Sequence, residues 1–166
     1  LADRDEEFTM VAGPTDFIEV TKGKNGVLSG GDKTPKLLID CTTISAEASR
    51  EVRKYASGVG THMIDAPVSG NAKVVVAGKL SIVASGDAEA FKKAKPFLDQ
   101  IAQGVSYVGE GELARMVKIC HNVLLGIVAQ SLAEITVLAE KGGVPRSAFL
   151  TFINSSVMGS IFSTYK

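Results

Sequence analysis

Cysteine and histidine are scarce, with two of each in 166 residues. Cys41 and Cys120 are far apart, and each lies in an apolar segment of core character. They read as reduced, buried thiols of an intracellular protein, not as a disulfide or a metal pair. His62 and His121 have no metal-ligand spacing to the cysteines or to each other, so no metal is expected. Net charge is missing as well, 18 Lys+Arg balancing 18 Asp+Glu. No overall field draws the chain to nucleic acid or to an anionic membrane, and neither is an expected partner. No uninterrupted apolar run reaches the ~20 residues of a bilayer span. The opening Leu1-Ala2-Asp3-Arg4-Asp5-Glu6-Glu7 is too polar for a signal peptide, and because it begins on Leu instead of Met the natural start is expected upstream. No internal repeat or low-complexity tract is found.

What is present is a core, since 45% apolar content suffices for one domain, or one domain with an appendage. Residues 8–12 form a short apolar run ended by Gly13-Pro14, as a buried strand would be, with Thr15 able to cap a short helix. Residues 22–33 read as loop. Leu37-Leu38-Ile39-Asp40 is the next strand, too uniformly apolar to be exposed. Ser45 is a good N-cap for a helix to about Ser57, stopped by Gly58 and Gly60. A strand over 61–65 leads into Ala66-Pro67-Val68-Ser69-Gly70. Residues 80–86 alternate apolar and small side chains, Asp87 caps a helix with Phe91, Ala94, Leu98 and Ile101 on one stripe, and 105–108 form a last strand.

Strand and helix alternating at this spacing predict a parallel α/β sheet covered on both faces, whose ligands bind at the carboxyl ends of the strands. Three of those ends carry polar or flexible clusters: Ala12-Gly13-Pro14, Asp40-Cys41-Thr42-Thr43, and the stretch from Asp65 to Gly70. The composition then changes at Gly109. Over 112–141 the residues Leu113, Val117, Cys120, Leu124, Val128, Leu132, Ile135 and Leu138 step by three or four with no proline, a helix of about 45 Å. Few small domains bury that length, so it is expected to pack against another helical layer or another subunit. On it, Lys118 and Asn122 are one turn apart on one face. Gly142-Gly143 ends it and Pro145 starts another helix, leaving Phe149, Phe152 and Phe162 without an obvious core.

Four blocks, in order and spacing, resemble the β-hydroxyacid dehydrogenases related to 3-hydroxyisobutyrate dehydrogenase and 6-phosphogluconate dehydrogenase. Asp40-Cys41-Thr42-Thr43-Ile44 resembles the family's Asp-x-Ser-Thr-Ile segment, and Asp65-Ala66-Pro67-Val68-Ser69-Gly70 its substrate loop. Gly111, Lys118 and Asn122 are similar to its Gly-x(6)-Lys-x-x-Asn-Asn segment, and Glu134 fits an acidic position farther along the helix. The resemblance implies a Rossmann-type parallel sheet lacking its first strands, over 1–109, then a long interdomain helix and the start of an all-α domain, over 110–166. It implies oxidation of a small β-hydroxyacid with NAD or NADP, or the reverse reduction of a semialdehyde, in a homo-oligomer of the cytoplasm, or of the mitochondrial matrix in a eukaryote. Lys118 would be the catalytic acid/base, its pKa lowered by burial, with Asn122 holding the substrate in line. Ser69 and Gly70 would bind the substrate carboxylate, and Thr43 with Val11 and Ala12 would touch the cofactor.

Taken singly, these residues have plainer readings: Lys118 as a solvated helix lysine, Ser69-Gly70 as a turn after Pro67, Thr43 as the loop before Ser45, Glu134 as structural. The chain also departs from the pattern. Asn71 replaces the loop's second glycine and His121 the first asparagine. The family's Gly-x-Gly-x-x-Gly turn is not found where it is expected, so the 166 residues alone are expected to turn over little or nothing. The alternatives are a non-enzymatic oligomerisation module built on the long helix and a relative that only binds an acidic metabolite.

Overall fold

The computed structural model describes residues 4–159, so Phe162 lies outside the described residues. Two compact units divide the chain, Leu1–Lys118 and Ile119–Lys166.

In the first unit, strands β1 (Glu6–Thr9), β2 (Leu37–Asp40) and β3 (His62–Asp65) form a parallel sheet in that order. Every residue of β2 is buried because its two faces feed two cores. Leu37, Ile39 and Cys41 point with Ile64 into one, under helix α4 (Ala88–Ile101). Leu38 points with Met63 into the other, under α1 (Pro14–Lys22) and α2 (Ala46–Gly58). This alternation is the period of two that a strand imposes, and it gives the continuous apolar run its cause.

The helix starts follow local chemistry. Ser45 Oγ accepts the Ala48 N–H and Asp87 Oδ1 the Ala90 N–H, satisfying donors the first turn leaves unpaired. The cap of α1 is Gly13 instead of Thr15, since Pro14 occupies the first helical position, where its missing N–H and fixed φ are favourable. The first strand also lies earlier than residues 8–12 and is largely exposed, only Thr9 being buried. Pairing of Glu6 through Thr9 with Leu37 through Asp40 sets its register, and among the described residues it is an edge.

After β3 the chain turns back. Strand β4 (Val68–Ser69) pairs antiparallel with β5 (Ser81–Ala84), which runs parallel to β6 (Gly104–Tyr107). A single antiparallel bridge, Asp65 to Ser85, joins this sheet to β3, so the strands beyond β3 are not a plain parallel continuation. Between β4 and β5 lies a short helix, α3 (Ala72–Val76), absent from the sequence reading.

Helix α5 (Leu113–Lys141) straddles the division between the units. In the second unit it ends at Gly143, whose φ of +85° suits glycine, and α6 (Arg146–Ser155) follows. The stripe expected to be core is largely uncovered: Leu124 and Leu138 are 58% and 69% exposed. Cys120 is exposed too, so only Cys41 is a buried thiol. Beyond Lys118 the described residues include one further helix, α6, too short to cover this length. By length and mean hydropathy alone α5 could span a bilayer, but a helix meant to be covered by other protein has the same composition.

Candidate active site

The carboxyl ends of β1 and β2 are tied together by one carboxylate. Asp40 Oδ1 accepts from Thr9 Oγ1 at 2.8 Å, from Thr42 Oγ1 at 2.7 Å and from the Thr42 N–H at 3.2 Å. Thr42 Oγ1 in turn accepts the Val11 N–H at 3.1 Å. The segments holding Val11, Ala12 and Thr43 are thereby fixed side by side. Val11 is half-buried, while Ala12 and Thr43 are exposed where a ligand at the strand ends could reach them. Open space surrounds the Cβ position of Gly13. These residues fit one end of a dinucleotide, but no glycine-rich turn stands among them to take the pyrophosphate.

A turn with glycines at the spacing of a dinucleotide turn does occur elsewhere, and it is filled by protein. Gly109-Glu110-Gly111-Glu112-Leu113-Ala114 follows β6 and opens α5 with dinucleotide-turn spacing. Yet the Ala114 N–H is taken by Ser85 Oγ, which donates to the Gly111 carbonyl, and Glu112 pairs with Arg53 and Arg50. Two acidic side chains and a spent donor oppose a pyrophosphate there.

Asp40 and Asp65, both fully buried, share a cation that the sequence reading missed. Arg115, 1% exposed, contacts Asp40 Oδ2 at 2.5 Å and Asp65 Oδ1 at 2.9 Å, and donates to the Thr42 carbonyl and to Ser49 Oγ. Arg53 reaches Asp65 Oδ2 at 2.9 Å, and Ser49 Oγ donates to the same carboxylate. Burial nevertheless raises the Asp65 pKa, against the opposing pull of Arg115, Arg53 and Ser49. Burial, with the adjacent Asp40 charge, likewise pushes the Cys41 thiol up to about 12. A thiol so disfavoured as thiolate is no nucleophile.

Ser69 belongs to β4, half-buried and opposite Ser81. Gly70 adopts φ +150°, and a Cβ there would stand 2.8 Å from Val74 Cγ1, so the close approach requires glycine. The loop borders a cavity of about 450 Å³ that Thr9, Met10 and Cys41 also line, which brings the substrate-loop candidate to the ends of β1 and β2. Asn71 has a local reason to replace a second glycine: its Oδ1 accepts the Val74 N–H at 3.0 Å and caps α3.

Lys118 lies on α5 one turn beyond Arg115. It is partly buried, and burial lowers its pKa from 10.5. Asn122, the next turn, falls in the second unit; it is exposed, with its Oδ1 3.2 Å from His121 Nδ1. Glu134 accepts a hydrogen bond from Gln130 at 2.7 Å, a local contact along the helix.

A parallel sheet with helices on both faces and polar loops at its strand ends defines a Rossmann-like α/β domain of the dinucleotide-binding class. Residues 2–109 match the family described as the NAD binding domain of 6-phosphogluconate dehydrogenase, and the chain belongs to that family. It is 36% identical to the 3-hydroxyisobutyrate dehydrogenase of Pseudomonas aeruginosa, the match covering 83% of this chain and 46% of that enzyme. It is 30% identical to the chloroplastic glyoxylate/succinic semialdehyde reductase 2 of Arabidopsis thaliana, over 94% of this chain and 43% of that one. The structure of Mycobacterium tuberculosis 3-hydroxyisobutyrate dehydrogenase with L-serine superposes with a TM-score of 0.80 at 28% identity, covering 98% of this chain and 54% of that chain. The chain thus spans about half the length of the relatives it matches.

Proposed function

We propose that this chain carries the acid/base half of an NAD(P)-dependent dehydrogenase that oxidises a small β-hydroxyacid to its semialdehyde, or runs the reverse reduction. One observation carries the reading. Lys118 stands half-buried one turn beyond Arg115, on a helix whose first turn is anchored to the strand ends, and burial lowers its pKa. A lysine whose charged form burial disfavours gives up its proton more readily than a solvated one, which suits it to acid/base work. The names of the relatives, dehydrogenases and reductases of small hydroxyacids and semialdehydes, supply the reaction class.

A nicotinamide cofactor would supply the hydride acceptor in oxidation and the hydride donor in reduction. Neutral Lys118 takes the hydroxyl proton as that hydride leaves, and the ammonium gives it back in the reverse direction. Asn122 steadies the oxygen being deprotonated. Ser69, through its hydroxyl, and Gly70, through its N–H, hold the substrate carboxylate, and Val11, Ala12 and Thr43 border the cofactor. The uncovered apolar face of α5 fits a homo-oligomer, the relatives' names fit a small hydroxyacid or semialdehyde as partner, and the compartment that goes with the family resemblance is the cytoplasm, or the mitochondrial matrix in a eukaryote. The isolated 166 residues, in which the Gly109–Ala114 turn is occupied by protein, turn over little.

The sign of the pH dependence follows from Lys118. Oxidation needs the neutral amine, so its rate rises with pH through a midpoint below 10.5, and reduction falls over the same window. The fold disfavours the charged form, so the Lys118 contribution to stability also increases as pH rises from the lowered pKa toward 10.5. The test is NAD(P)+ reduction by the complete enzyme with a panel of small β-hydroxyacids, followed across pH. Turnover with the rising limb is expected; absence of turnover across the panel with both cofactors contradicts the proposal.

A further inference from the structure

We propose that Arg115 is a positioning residue for Lys118, coupling the loops at Val11 and Thr43 to the catalytic helix through the Asp40 carboxylate. The inference rests on the acid/base reading of Lys118. Its ground is the division of labour at Asp40: one oxygen holds Thr9 and Thr42, which fix the two loops, while the other receives the guanidinium of Arg115. Three residues on, about 4.5 Å along a rigid helix, stands Lys118. The same guanidinium donates to the Thr42 carbonyl and pairs with Asp65, so it cannot shift without disturbing both strand ends.

The chemistry of the group matters. A planar guanidinium presents several donors in a fixed fork, whereas an ammonium offers a point charge on a flexible stem, so lysine does not reproduce the constraint. Stability alone is a weak reason to bury these charges, because a neutral, well-packed set of similar volume often serves as well. What neutral replacements lose is the directional link from loop to helix.

Two variants of the complete enzyme test this: Arg115→Lys, which keeps the charge, and the neutral triple Asp40→Asn, Asp65→Asn, Arg115→Met. Each is read by kcat and KM for a β-hydroxyacid and by the pH at which the Lys118 amine is half-modified by trinitrobenzenesulfonate, located by peptide mass spectrometry. Both are expected to lower kcat by about 10- to 100-fold, the scale of a small misplacement, with KM changed far less, and to move the Lys118 modification midpoint. A Lys118 midpoint unchanged from wild type in folded protein overturns the proposal, as does a neutral triple that regains wild-type kcat. Should Arg115→Lys fail to fold, the triple carries both readouts. If wild type oxidises no hydroxyacid but the midpoint still moves, the acid/base function is wrong and the positioning by Arg115 stands.

Discussion

Replacing Lys118 by Met in the complete enzyme is expected to lower kcat for hydroxyacid oxidation by about 10²- to 10⁴-fold, the contribution of a positioned acid/base. Hydride cannot leave the carbinol carbon at a useful rate unless its hydroxyl proton has somewhere to go, and no other titratable side chain is assigned that task at the strand ends. Cys41 is held as a thiol, and Asp40 and Asp65 are engaged by Arg115. Cofactor affinity should change little, since Val11, Ala12 and Thr43 are untouched. The variant should also unfold no earlier than wild type, because burial already disfavours the charged lysine. The rising pH limb should vanish with the rate. A lysine serving only as a solvated helix residue would leave kcat where it was.

Asp65→Ala should destabilise the protein by about 3–5 kcal/mol, the range for removing one partner of a buried ionic set. The substitution leaves Arg115 with a single carboxylate and strips Arg53 and Ser49 of a buried acceptor. Among the described residues no buried side-chain donor or acceptor is unsatisfied at present, and the substitution creates such groups at the junction of β3, α2 and the start of α5. Urea unfolding followed by circular dichroism measures the loss. A change below about 1 kcal/mol, as for an exposed pair, would show that water or rearrangement replaces Asp65 and that the network is not a structural clamp.

These two residues mark how far the sequence can be read. Strand β2 is legible because two-sided burial leaves a nearly uniform apolar run, and the caps Ser45 and Asp87 because their chemistry is local. The position of β1 was not: Glu6 and Glu7 are polar, and only pairing with Leu37 and Leu38 makes them strand. Helix α3 is a five-residue turn whose only local signal is the cap Asn71. The α5 stripe specifies the helix but not its surroundings, so Cys120, apolar in pattern, is exposed instead of in a core. At the site, resemblance supplied Lys118, Ser69, Gly70 and Thr43, yet Arg115 went unnoticed because its partners Asp40 and Asp65 lie 75 and 50 residues away. A usable signal existed: two aspartates ending buried strands need a buried counter-ion, and an arginine opens the next long helix.

Hydride transfer between a hydroxyl-bearing carbon and a nicotinamide, with Lys118 taking the proton, is the reaction proposed for the complete enzyme. Its most direct test is oxidation of a β-hydroxyacid deuterated at that carbon by the complete enzyme, with mass analysis of the reduced cofactor. Deuterium is expected in the nicotinamide ring, and Lys118→Met is expected to suppress its transfer. Reduced cofactor free of deuterium, or transfer at an undiminished rate without Lys118, would contradict the proposal.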